Sequence, residues 1–342
     1  MDNNDIELLN RAIEPCKEAI RLQPDNAEAY RYLGTSYGIL GHYAEALEAF
    51  RWAISLKPDF AEAHYGMALS LRNLGRIPEA EEAYKRAIRH KPDYASAHYN
   101  LGIYYDTLGR FQEAVEAFEK AIFHKPDFAK AHYNLGITYD HLHRYSEALE
   151  AFKQSIRLKP DWADAHCNLG VAYGRLGRYQ EEVEACKQAI RLKPDLAEAH
   201  HNLGNTYREL GFYSESVEGF KEAIRLKPDY ASAHNGLGDV YDELGRYQEE
   251  VEACKEAIRL KPDFAEAHYN LGNGYHGLGR YQEAVEAYKQ AIRFKPDDAG
   301  AHGNLGLAYL YLGDTGSALE EYNILKDLDK EKANELFNLI YK

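Results

Sequence analysis

Eight histidines recur every 34 residues, at His64, His98, His132, His166, His200, His234, His268 and His302. Imidazole is the commonest metal ligand, so the column first raises metal binding. A shared zinc needs nitrogens at about 2 Å from the ion, whereas packed helices lie roughly 8–10 Å apart. Column neighbours cannot both reach one ion, and a packing role is expected instead. His141 and His143 have no Cys or carboxylate at ligand spacing and are read the same way. Gly272-Asn273-Gly274-Tyr275-His276-Gly277 spells a dinucleotide fingerprint, but that chemistry needs a preceding strand and a turn whose amides cradle phosphate. Here the match falls inside a helical pattern. Cys167 beside His166 is no thiolate pair, because adjacent helical residues point about 100° apart. The chain is therefore read as not an enzyme, with no catalytic residue, metal or cofactor.

The elements that hold these residues follow from the same period. Pro24, Pro58, Pro92, Pro126, Pro160, Pro194, Pro228, Pro262 and Pro296 are spaced by 34 without insertion or deletion. Such self-similarity is the signature of a solenoid. In Ala95–Phe128, taken as positions 1 to 34, one helical stripe carries Ala97, Leu101, Gly102 and Tyr105, and a second carries Ala114, Phe118, Ala121 and Ile122. Gly109 is placed to end the first helix in the left-handed conformation, and Pro126 stops the second. Asp127 and its equivalents, Asp25 to Asp297, are expected as helix N-caps. Those at Asp25, Asp59, Asp195 and Asp263 have Glu three residues on, the spacing of a capping box. Neither helix can bury its face alone, so the repeats must stack.

His98, Leu101, Gly102, Tyr105, Ala114, Phe118, Ala121 and Pro126 make the repeat resemble the tetratricopeptide repeat (TPR) family. Two departures stand out. Position 4, an aromatic in the family, is His eight times, and repeat two has Met67, Ala68 and Leu71 for leucine, glycine and tyrosine. The resemblance implies an all-α, right-handed α-solenoid, a superhelix of stacked helix-turn-helix units. Residues 1–26 are expected to form an N-terminal half-repeat or capping helix, shortened or kinked at Pro15. Residues 27–332 hold nine repeats starting at 27, 61, 95, 129, 163, 197, 231, 265 and 299. Residues 333–342 form a terminal helix whose Leu336, Phe337 and Ile340 cover the last core face.

Composition narrows the partners. The chain has 55 acidic against 41 basic residues, a net charge of −14, which disfavours nucleic acid and membrane surfaces. No apolar run is long enough to span a bilayer. Cys16, Cys186 and Cys254 share position 24 in different repeats, too far apart for a disulfide. The reading is reduced thiols and a cytoplasmic setting. Position 20, usually Ala, is Glu182, Ser216 and Glu250 in repeats five to seven, and beside each Glu the position-24 aromatic shrinks to Cys186 or Cys254. These positions lie one turn apart, so the pairs are read as volume compensation. Each Glu stem is expected to cover apolar surface while its carboxylate reaches an edge or a donor; the alternative is a pair of buried carboxylates with raised pKa, a pH-sensitive softness.

The TPR resemblance implies that the first helices line a concave groove, chiefly through positions 2, 5, 6, 9, 12 and 13. Position 6 holds a column of Asn100, Asn134, Asn168, Asn202, Asn270 and Asn304, broken at Gly236. Position 5 is aromatic at Tyr65, Tyr99, Tyr133 and Tyr269. Asp106, Asp140, Asp242 and Glu243 lie toward helix C-termini, where the helix dipole disfavours acids, which points to a polar or basic ligand. The carboxylate clamp of heat-shock co-chaperones is disfavoured: no repeat has Lys at position 5, and Lys130 is the one Lys at position 2. The asparagine column is instead similar to the superhelical part of the O-linked N-acetylglucosamine transferases, where such a ladder holds extended polypeptide. The leading expectation is a protein-interaction scaffold that binds an extended peptide. The rivals are a self-associating assembly module and the substrate-binding part of a larger enzyme such as a glycosyltransferase.

Overall fold

The computed structural model describes residues 3–341, with side chains from residue 13 onward. The chain forms two compact bodies, Met1–Pro160 and Asp161–Lys342. In the first, α1 (Asn3–Leu22) precedes four helix pairs. These are α2 (Ala27–Ile39) with α3 (Tyr43–Leu56), α4 (Ala61–Asn73) with α5 (Ile77–His90), α6 (Ala95–Thr107) with α7 (Phe111–His124), and α8 (Ala129–His141) with α9 (Tyr145–Leu158). The second body begins with α10 (Ala163–Arg175) and α11 (Tyr179–Leu192), then α12 (Ala197–Glu209) and α13 (Tyr213–Leu226). It continues through α14 (Ala231–Glu243) with α15 (Tyr247–Leu260), α16 (Ala265–Gly277) with α17 (Tyr281–Phe294), and α18 (Ala299–Tyr311) with α19 (Thr315–Leu328), ending in α20 (Lys330–Ile340). Among the described residues there are twenty helices and no strand, and no helix crosses a position-32 proline. Within each body the second helix of one pair packs on the first helix of the next. Each body is thus an all-α solenoid.

A close approach of the two helices builds each repeat. A Cβ added to Gly102 would lie 2.7 Å from the Phe118 ring, and one on Gly136 would lie 2.6 Å from Phe152. Glycine at position 8 therefore lets the position-24 aromatic lie against the helix backbone, fully buried in the case of Phe118. In repeats five and seven the Cys186 and Cys254 sulfurs take that place against Gly170 and Gly238. All four cysteines are free thiols.

The turns are built differently from the capping expectation. Position 34, not the Asp before it, is the N-cap residue, as at Tyr94 and Phe128, where no side chain caps the helix. Pro92 and Asp93 are instead the two central residues of a turn closed by Tyr94 N–H donating to Lys91 O at 3.1 Å. Proline with its fixed φ suits the first central position of such a turn. The capping-box expectation falls with it, and Glu62 instead pairs with Lys91 at 3.0 Å. Where position 34 is itself a short polar residue, at Asn26 and Asp298, the side chain does cap.

Glycines end the first helices at positive φ, for example Gly109 at 70°. Repeat four has His143 there instead, at φ 57°. Its backbone closes the same turn, with Arg144 N–H donating to Tyr139 O at 2.9 Å. Two further expectations are corrected. Helix α1 runs through Pro15 without ending there. On α20, Leu336 is buried and Ile340 packs against the same cluster, but Phe337 is 40% exposed, its ring tilted against those of Tyr322 and Tyr341.

Candidate functional site

The histidine column closes the junction between repeats. Nε2 of His64, His98 and His132 lies 2.9, 2.9 and 3.1 Å from the carbonyl oxygens of Pro58, Pro92 and Pro126. In the second body His200, His234, His268 and His302 make the same bond to the prolines six residues earlier, at 3.0 to 3.1 Å. A carbonyl only accepts, so Nε2 carries the proton. The ring satisfies a carbonyl of the turn between repeats, a polar task that an aromatic hydrocarbon at position 4 could not perform. Among the described residues no group of three or more His, Cys, Asp or Glu could hold a metal ion.

The asparagines form rungs to the preceding repeat. In the first body Asn100 Nδ2 donates to Tyr65 Oη at 2.8 Å, and Asn134 Nδ2 to Tyr99 Oη at 3.0 Å. In the second, Asn304 Nδ2 donates to Tyr269 Oη at 3.1 Å, and Asn202 Nδ2 to the Cys167 sulfur at 3.4 Å. Asn270, the most buried of the column, donates to Asn235 and Asp239. The rungs thus join neighbouring repeats through positions 5 and 6, and the amide N–H groups are largely spent on them. Asn168 on α10 and Tyr133 on α8 are half-buried, with the Tyr133 ring 5.9 Å from that of Phe152.

The acids divide. Asp106 accepts from Thr138 Oγ1 at 2.8 Å and lies 3.6 Å from His141 Nδ1, so its place at a helix end is tied to the next repeat. Asp140 has one buried oxygen without a partner. Burial, with Glu243 adding to it, raises the Asp242 pKa. Asp239 pairs with Arg208 and accepts from Asn270. Burial pushes its pKa up to about 6 despite the guanidinium beside it.

One feature of the groove side escaped the sequence reading. Between α2 and α4 lies a pocket of about 370 Å³ lined by Arg31, Gly34, Gly38, Phe50, Tyr65, Gly66 and Tyr94 among others. Position 6 of repeat two is Gly66 and position 5 of repeat one is Arg31, so no Asn–Tyr rung can form there. A Cβ on Gly66 would lie 2.3 Å from the Phe50 ring. Departure from two regular columns in adjacent repeats was the available signal.

Comparison with known proteins agrees with this architecture. Profiles of the tetratricopeptide repeat match residues 16–48, 33–95, 65–127, 99–161 and 133–197, and a TPR repeat profile matches 204–245, 238–279 and 272–313. The chain belongs to the tetratricopeptide repeat family. Among solved structures it is similar to the crystal structure of the APC/C hetero-tetramer Cut9-Hcn1, at 16% identity over 98% of this chain and 94% of that chain, with a TM-score of 0.59. It is also similar to pilF of Pseudomonas aeruginosa, at 19% identity over 61% of this chain and 96% of that one, with a TM-score of 0.56. Both likenesses speak to the fold alone. No curated protein matches the chain. A protein-interaction scaffold is the class that this architecture defines, and no described helix is long and apolar enough to cross a membrane.

Proposed function

We propose that the chain is a non-enzymatic scaffold that holds an extended peptide along the face of its first helices. The observation that carries this reading is the rung. At Tyr65–Asn100 and Tyr99–Asn134 the phenol oxygen accepts from the amide. Among the described residues, nothing accepts the phenol protons and nothing donates to the carboxamide oxygens of these two rungs. Each rung therefore keeps at least one donor and one acceptor for a ligand, the pair that a peptide C=O and N–H requires whatever its side chains. Packed helices are roughly 8–10 Å apart and an extended chain advances about 3.3 Å per residue, so a rung meets about every third residue. Within the second body, Asp242 and Glu243 suit a polar or basic peptide on that body's own first helices.

The test is the paired variant Asn100→Ala with Asn134→Ala, assayed against a peptide selected by display on the native chain. At roughly 0.5–1.5 kcal/mol per hydrogen bond, affinity should fall about tenfold while circular dichroism and melting keep the chain folded at the assay temperature. Undiminished affinity would retire the reading.

A further inference from the structure

The pocket between α2 and α4 joins a glycine floor, of a kind that recurs where Gly204 and Gly236 meet Phe220, to a cationic side chain. Its floor is glycine against the Phe50 ring: added Cβ atoms on Gly34 and Gly66 would lie 2.9 and 2.3 Å from that ring. Tyr65 and Tyr94, with ring centroids 5.1 Å apart, are among its lining residues. At about 370 Å³ it falls in the range of roughly 300–1,000 Å³ typical of ligand sites.

The charge comes from Arg31. Its side chain is only 19% exposed and its Cζ sits 4.0 Å from the Tyr32 ring centroid. Glu28 holds Nε at 3.0 Å. Among the described residues the two terminal nitrogens have no hydrogen-bond partner. Arg72 likewise has neither an ion-pair nor a hydrogen-bond partner among the described residues, and its cation acts on Tyr65 and Tyr84. The acids nearby are already engaged, Glu28 by Arg31 and Glu62 by Lys91. Glu28 thus partners the charge of Arg31, and Glu62 also lines the pocket; what Arg31 leaves open is its two terminal nitrogens. A guanidinium with two free N–H ends fits a carboxylate bidentately.

We propose that this pocket is a specificity subsite for an acidic–apolar peptide segment, taking a ring-sized apolar side chain on the Gly34–Gly66 floor and an adjacent carboxylate on Arg31. The inference rests on the reading that a peptide lies along the groove, since Tyr65 both lines the pocket and begins the first rung. It assigns the basic and polar parts of such a peptide elsewhere.

Three fluorescein-labelled dodecapeptides in a Gly–Ser background, acetylated and amidated, with Phe–Glu, Phe–Lys or Ala–Glu at the centre, test it by anisotropy. The native chain should bind Phe–Glu roughly tenfold or more tighter than either other probe. Arg31→Gln should erase the preference for Glu over Lys. Gly38→Leu should weaken Phe–Glu by filling the pocket; a Cβ there meets nothing nearer than 3.9 Å, Leu is favoured over Gly in helices, and a thermal melt checks that the variant is folded. Equal binding of Phe–Glu and Phe–Lys by the native chain overturns the subsite, as does undiminished Phe–Glu binding by a folded Gly38→Leu variant. If all three probes bind alike and the Asn100→Ala, Asn134→Ala pair weakens them alike, the subsite fails while the groove reading stands. If none binds, both fail.

Discussion

Glu250 is completely buried and neither of its carboxylate oxygens has a hydrogen-bond partner. The expectation that its carboxylate would reach an edge or a donor is thus wrong. Burial pushes its pKa up to about 9, Asp242 and Asp239 on α14 push the same way, and the nearby Gly274 backbone opposes them. Its other titratable neighbours, Cys254 and Tyr288, are themselves raised by burial and feel Glu250. Glu182 is milder, at about 7, because a hydrogen bond with Thr206 offsets its burial. A carboxyl that binds its proton more tightly in the folded chain stabilises fully below its unfolded pKa of about 4.5. That stabilisation is lost as pH rises toward 9. Glu250→Gln, which needs no proton, should match the native chain near pH 5 and exceed its stability at pH 8, on the order of 3 kcal/mol. Urea unfolding at the two pH values reads the difference. Parallel pH dependence of the two proteins would show that Glu250 ionises freely in the fold.

Helix pairing depends on which glycine lacks room for a methyl group. Gly102→Ala should cost about 1–3 kcal/mol, since its Cβ would lie 2.7 Å from Phe118. Gly38→Ala has free space at 3.9 Å and should stabilise α2 by about 0.5–1 kcal/mol. Thermal melts of the two variants should shift in opposite directions, and equal shifts would sink the close-approach account. The elements were legible because Pro126 and Gly109 act through their own backbone geometry, which needs no knowledge of neighbours. Caps were misread because Asp93 and Tyr94 are adjacent, and spacing cannot say which of two consecutive residues leaves the turn. His98 was recognised as structural, but its partner, the Pro92 carbonyl, belongs to the turn and was invisible in a count of side chains.

At the scale of the whole chain, repetition makes the architecture readable and the site only partly so. Asn100 and Tyr65 were both visible as groove residues, yet their bond to one another was not, because periodicity fixes phase and not which side chains meet. It is that bond which turns the asparagine column from a set of free amides into rungs with at least one donor and one acceptor left. Gly66 escaped for the opposite reason: it is an exception, and a period describes the rule. The account's central claim is that the groove grips peptide backbone independently of side chains. A backbone N-methyl scan of a display-selected peptide tests it most directly, with affinity measured for each singly methylated version. Methylation removes a peptide N–H while keeping every side chain, so affinity should fall about five- to tenfold at about every third residue and stay unchanged between. Affinity insensitive to every N-methyl group, and responsive only to side-chain changes, would contradict the claim.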